Sequence, residues 1–209
     1  MSGEVSGIVK RSLDVLSAAA MLLLVLPLLL FAVVAVRLSG PGPILFRQVR
    51  IGRDGRPFDV LKLRTMHVGA EERLALLLAR DASAAAEFAR FGCLKPDPRV
   101  AGVVGRWLRR WSVDELPQLW NVLRGDMSMV GPRPLPVIIL ELLDPEHQRA
   151  RATVRPGLTG PYQVYGRCDL DLSSMRELDL AYVAGRGIGR DLALLARTPW
   201  AVVSGAGAF

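Results

Sequence analysis

Positions 15–36 carry no charged residue, and this run of 22, rich in Leu, Val and Ala, constrains the fold more than any other feature. A helix of that length matches a hydrocarbon core of about 30 Å. A cleaved signal peptide would have a shorter apolar core followed by a small-residue cleavage site. Here Arg37, Leu38, Ser39 and Gly40 follow instead. Pro27, near the middle of the run, lacks a backbone donor and crowds the preceding turn, which predicts a kink there. The flanking charges are alike: Lys10 and Arg11 before, and Arg37, Arg47, Arg50, Arg53 and Arg56 after. Positive flanks favour the cytoplasmic side. A helix that enters, bends at Pro27 and leaves by the same face satisfies both clusters. An ordinary kinked span is the alternative, because many spans carry proline.

The chain has 209 residues and a formal net charge of +7, with a pI of about 10.2 and a mean hydropathy of +0.29. Basic and apolar together fit anionic membrane lipids, or a polyanionic ligand held near them. A basic pI alone would also fit nucleic acid, but the apolar run counts against that partner. Cys93 and Cys168 have no paired-motif spacing and read as reduced thiols of a cytosol-facing protein. His67 and His147 match no metal-ligand motif.

The breaker cluster Ser39-Gly40-Pro41-Gly42-Pro43 separates an amino-terminal membrane segment, 1–40, from a catalytic region, 41–209. Residues 44–66 read as short extended segments with a turn near Arg53-Asp54-Gly55-Arg56. Residues 71–91 read as one helix, ended by Pro96 and Pro98. A further helix through Trp107 carries Arg106, Arg109, Arg110 and Trp111. It suits either an interfacial helix with headgroup anchors or a core helix with a basic edge.

The most informative segment is 112–134, SVDELPQLWNVLRGDMSMVGPRP. Leu116, Leu119, Trp120 and Leu123 fall on one helical face, and Arg124-Gly125 suits its end. With Asp114 as the N-cap, Pro117 lies in the first turn, where no helical donor is lost. That register sets the Asp114 carboxylate against free N–H groups, which favours the ionised form a carboxylate nucleophile needs. Glu115 adds a second hard oxygen ligand for Mg²⁺, an ion that takes its other ligands from substrate phosphates. An isolated Asp-Glu pair would read as a cap alone, but this one has company. Arg133, in the rigid loop Gly131-Pro132-Arg133-Pro134, suits two-pronged phosphate contact. Arg109, Lys62 and Arg64 add further cations. Two carboxylates, a divalent metal and fixed cations point to phosphoryl transfer.

On these residues the chain resembles the bacterial sugar transferase family, the monotopic phosphoglycosyl transferases. The matching segments are 46–58 (FRQVRIGRDGRPF), 62–66 (KLRTM), 97–99 (DPR), 112–134, 155–160 (RPGLTG) and 163–167 (QVYGR). The length is similar to the minimal catalytic form of that family. The resemblance implies a re-entrant helix bent at Pro27 and a catalytic dyad of Asp114 and Glu115 with Mg²⁺. It implies phosphate binding by Arg133 and Arg109, with Lys62 and Arg64 as further candidates. It also implies transfer of a sugar-1-phosphate from a UDP-sugar to a polyprenol phosphate such as undecaprenyl phosphate. UMP would leave, and a covalent phospho-sugar aspartate would form between two half-reactions. Asp179 matches a family position whose role the sequence does not assign. The implied place is the cytoplasmic face of a bacterial inner membrane, and a homodimer is compatible with it.

The expected class is α+β, predominantly helical, with a re-entrant membrane helix, interfacial amphipathic helices and a small β element. The chain departs from the family pattern at Leu26, often Ser; at Pro161-Tyr162-Gln163, usually Trp-Ala-Gln; and at Tyr165-Gly166-Arg167, usually Asn-Gly-Arg. A non-catalytic basic membrane-surface module would explain the composition but not the Asp114, Glu115 and Arg133 constellation.

Overall fold

The computed structural model describes residues 2–205 and 207. The long apolar segment forms α1 (Ser2–Leu38), helical without interruption through Pro27. Among the described residues it supplies the one stretch long and apolar enough to cross a membrane, Gly7–Leu38. Its apolar surface divides in two. Ala18, Leu22, Val25, Leu29, Ala32 and Val36, at three- and four-residue spacing, pack on the rest of the protein. Leu16, Leu23, Leu24, Leu30, Phe31 and Val34 stay exposed. A helix that is apolar all round needs an apolar environment for the second stripe too.

Strands β1 (Leu45–Ile51) and β2 (Pro57–Leu63) form an antiparallel hairpin, with Leu45 opposite Leu63 and Ile51 opposite Pro57. The expected turn sits between them, with Asp54 at φ 58° and Gly55 at φ 72°. The helix expected over 71–91 is two helices, α2 (Ala70–Arg80) and α3 (Ala82–Phe91). Asp81 has extended backbone and accepts hydrogen bonds from the N–H groups of Ser83 and Ala84, so it caps a second start. Then comes α4 (Gly102–Arg110), with Gly105 and Leu108 buried. Trp107 and Trp111 stay half-exposed. The Trp107 ring meets Phe31 edge-on at 6.5 Å. The helix therefore has both a core face and an aromatic edge beside the exposed stripe of α1.

Helix α5 (Gln118–Arg124) leads to β3 (Ser128–Val130), then α6 (Val137–Leu140) and α7 (Pro145–Ala152). Strand β4 (Gly157–Thr159) pairs in parallel with β3. A Cβ on Gly131 would collide with the Arg155 carbonyl, and one on Gly157 with the Gly131 amide. This close approach of two backbones requires glycine at both positions. Helices α8 (Pro161–Tyr165), α9 (Leu172–Ala184) and α10 (Ile188–Ser204) complete the chain. The class is α+β and mostly helical, as expected.

α1 is fastened to the same body at two places, residues 10–14 and its carboxy-terminal end. Near its start, Asp14 is buried and accepts from Ser128 Oγ at 3.0 Å and Met129 N at 2.9 Å. Lys10 Nζ donates to Asp191 Oδ2 at 2.6 Å and lies 3.7 Å from Asp14 Oδ1. Arg11 donates to the carbonyls of Val122 and Leu123 at 2.7 and 3.0 Å, capping the last turn of α5. At the other end, Arg64 donates to the carbonyls of Val36 at 3.1 Å, Gly40 at 2.8 Å and Pro41 at 2.6 Å. Arg64, expected among the phosphate ligands, thus holds the end of α1. The reason is physical: the last carbonyls of a helix lack internal partners, and a guanidinium just past β2 satisfies several at once.

Candidate active site

Asp114 and Glu115 lie side by side in one tight turn, Val113–Glu115. The register expected from the sequence does not form. Asp114 is inside a 3₁₀ turn and not at a helix N-cap, and α5 begins only at Gln118. Pro117 explains the difference. It has no N–H to donate to the Val113 carbonyl, which takes Leu116 N at 3.2 Å instead. The same tight pattern continues as Leu119 N to Leu116 O at 3.1 Å. Ser112 enters the turn with φ 55° and makes no side-chain cap. Helix termini therefore do not hold Asp114 ionised. Burial pushes its pKa up; Lys62 opposes this, and neighbouring Glu115 adds to it.

Glu115 has the opposite balance. Its Oε1 accepts from Lys62 Nζ at 2.7 Å and from Arg133 Nη2 at 2.7 Å, while Oε2 faces Arg133 Nη1 at 3.4 Å. Burial alone would raise this carboxyl, but Arg133 and Lys62 hold it well below the usual carboxylate range. Burial pushes the Lys62 ammonium down, with Glu115 as the main counterweight. Arg133 is disfavoured by burial and yet raised, because Glu115 outweighs that effect.

Three elements bring these groups together: the end of β2 for Lys62, the turn for the dyad, and the loop after β3 for Arg133. The positive charge of Arg109, from the last turn of α4, also bears on Asp114. A further cation was not picked out from the sequence. Arg167, at φ 52°, feels both Glu115 and Asp114, and burial lowers its pKa. Its signal was the departure at Tyr165-Gly166-Arg167, which keeps the Gly-Arg step of the usual Asn-Gly-Arg. Asp179 does not join the dyad. It is fully buried, with His147 Nε2 3.0 Å away and Arg151 paired to the same oxygen.

Five cations (Lys62, Arg50, Arg109, Arg133, Arg167) and three carboxylates (Asp114, Glu115 and, beside Arg109, Asp97) act on one another here, leaving 5 − 3 = +2. Such a site favours a ligand carrying several negative charges. Among the described residues no group of three or more His, Cys, Asp or Glu could hold a metal. The dyad fits Mg²⁺ only in the form that suits this ion: two carboxylates from the protein, other ligands from substrate phosphates and water.

Comparison with known proteins places the chain in a family. The profile described as "Bacterial sugar transferase" matches residues 5–205. The UDP-glucose:undecaprenyl-phosphate glucose-1-phosphate transferase of Caulobacter vibrioides is 44% identical over 197 residues, covering 90% of this chain and 67% of that protein. The undecaprenyl-phosphate galactose phosphotransferase of Salmonella typhimurium is 38% identical over 98% of the chain, which spans 42% of that relative. The exopolysaccharide production protein ExoY of Rhizobium meliloti is 39% identical over 98% of this chain and 90% of its own. The chain spans less than half, 42–43%, of the length of four of the matched relatives, the Salmonella protein among them. By a match that takes in the dyad, the Arg133 loop and the long apolar helix alike, the chain belongs to the bacterial sugar transferase family.

Proposed function

We propose that the chain transfers a sugar-1-phosphate from a UDP-sugar to a polyprenol phosphate, undecaprenyl phosphate by the example of its relatives, in a pathway making exopolysaccharide or a related glycoconjugate. The observation that carries the reading is the Asp114–Glu115 turn. Glu115 is pinned between Lys62 and Arg133, and its neighbour lies inside a net positive basin.

In the first half-reaction an Asp114 oxygen forms a bond to the sugar-bearing phosphorus. The bond from that phosphorus to the bridging oxygen breaks, and UMP leaves with the electron pair. In the second, an oxygen of the lipid phosphate attacks the same phosphorus and the Asp114–phosphorus bond breaks. The products are free carboxylate and polyprenol diphosphate sugar. Arg133, Arg109 and Arg167 would bear the charge on the phosphate oxygens, and Lys62 would hold Glu115 in place. Mg²⁺, when bound by Asp114 and Glu115, would neutralise phosphate charge and orient the donor. Lys62, Arg109 and Arg133 favour ionised Asp114, against the effect of burial.

The membrane reading follows the same line. α1 docks on one body at residues 10–14 and again near Val36, with positive residues flanking its apolar run on both sides, and this supports a helix held in the cytoplasmic leaflet of the inner membrane. The exposed stripe of α1 and the Trp107 edge would meet lipid.

The test is intact mass after acid quench with donor alone. The wild type is expected to gain the mass of one sugar phosphate, mapped to Asp114, and Asp114→Asn to gain nothing. No adduct in a wild-type sample that goes on to turn over would sink the covalent route.

A further inference from the structure

The loop that presents Arg133 is held through its backbone. Three successive carbonyls each accept from a fixed donor: Pro132 from Gly157 N at 2.9 Å, Arg133 from Arg151 Nη2, and Pro134 from Arg50 Nη1 at 3.1 Å. Prolines at 132 and 134 give the loop no N–H at those positions. An open pocket of about 210 Å³, lined by Pro132, Leu135, Leu140, Gln148 and Arg151 among others, adjoins the loop. Leu135 anchors the far end of the loop in the core, and the three hydrogen bonds fix the carbonyls on either side of and at Arg133.

The middle donor is itself anchored. Arg151 Nη1 donates to Asp179 Oδ2, and the same oxygen meets His147 Nε2 at 3.0 Å. Asp179 and His147 are fully buried, and the Arg151 side chain is 8% exposed. Asp179 comes from α9, while Arg151 and His147 come from α7. A buried ion pair is weak support for stability compared with apolar residues of the same volume. What this one supplies is a fixed direction for the second prong of Arg151. Among the described residues, neither Asp179 nor Arg151 has a hydrogen bond or ion pair to Asp114 or Glu115.

We propose that Asp179 and Arg151 are positioning residues: Asp179 orients Arg151, Arg151 clamps the Arg133 carbonyl, and the clamp sets where the Arg133 guanidinium points. That aim places two prongs on Glu115 and leaves the remaining N–H groups for substrate phosphate. The proposal rests on the reading of Arg133 as a phosphate-handling group. A misplacement of about 1 Å in such a group can lower turnover about a hundredfold.

The experiment uses the full chain in lipid, with Asp179→Asn and Arg151→Lys. First, phenylglyoxal modification of Arg133 is followed by peptide mass, with exposed Arg53 as internal control. Both variants should react several times faster than wild type at Arg133 and at the same rate at Arg53. Unchanged Arg133 reactivity in a folded variant overturns the proposal. Second, UMP release is measured for each variant alone and combined with Arg133→Lys. The single variants should lose about a hundredfold in kcat with a smaller change in donor KM. In the Arg133→Lys background the added loss should nearly vanish, because the group being aimed is already changed. Multiplicative losses overturn the proposal. If wild type releases no UMP from any donor, the functional reading fails, and the labelling arm still decides the positioning role. If Asp179→Asn gives no cooperative melt, Arg151→Lys decides. Loss of fold in both marks the cluster as purely structural and overturns the proposal.

Discussion

Two buried clusters in this protein use the same ingredients for different ends. At the foot of α1, Lys10 sits between Asp14 and Asp191. In the dyad, Glu115 sits between Lys62 and Arg133, with Asp114 beside it. The foot cluster is closed. Asp14 also takes Ser128 Oγ and Met129 N, and Asp191 takes Tyr182 Oη at 2.8 Å. Donors from α1, β3 and α9 meet its two carboxylates, so the cluster fastens these elements together. At the dyad, Lys62, Arg109, Arg133 and Arg167 all bear on the two carboxylates. The sum of charges, and whether neutral donors complete the set, separates a fastening from a reaction site.

That contrast can be broken at either cluster. The largest effect is expected at the dyad: Asp114→Asn should lower turnover at least about a thousandfold, with the melting temperature unchanged or raised, because a buried charge beside Glu115 is removed. Excess chelator should stop wild-type UMP release to a similar degree; full turnover in its presence removes Mg²⁺ from the mechanism. Lys62→Met should lower turnover about a hundredfold while Arg133 still neutralises Glu115, so thermal unfolding should move less than activity. Lys10→Met should reverse that order. Leaving Asp14 and Asp191 without their shared cation should destabilise the protein by about 3 kcal/mol, with kcat near wild type in the folded fraction. A large kcat loss there would mean the two clusters are coupled. The smallest effect concerns Asp171, which caps α9 by accepting from Ser174 N at 2.8 Å. That bond, with Ser173 adding to it, lowers its pKa from 3.8 to about 2. A depressed carboxyl contributes stability above its ordinary pKa and loses it as pH falls through the folded value. Asp171→Asn keeps an acceptor without a charge, so the melting temperature should fall less between about pH 4 and pH 2 than in wild type.

The parts of the fold that were legible in the sequence are those whose cause is local. The uncharged run declared α1, and Asp54-Gly55 declared the hairpin turn. The dyad was visible as a motif, but its backbone was not, because Pro117 acts through a bond it fails to make. Asp81 looked like one polar residue in a helix, although its side chain starts a new one. The roles of Arg64, Arg151 and Arg50 were hidden because their partners are carbonyls, which every residue carries and no pattern marks. Asp14 escaped for a related reason. It stands one place before the apolar run and pairs with residues more than a hundred positions away.

Fastening α1 at both Asp14 and Arg64 has a mechanical outcome. Clamping at two points ties the orientation of the helix to that of the body it crosses. The number of residues between the clamps therefore fixes which face of α1 meets the body and which stays exposed. One residue inserted between them would turn everything beyond it by about 100° and advance it by about 1.5 Å, so one clamp or the other would have to let go.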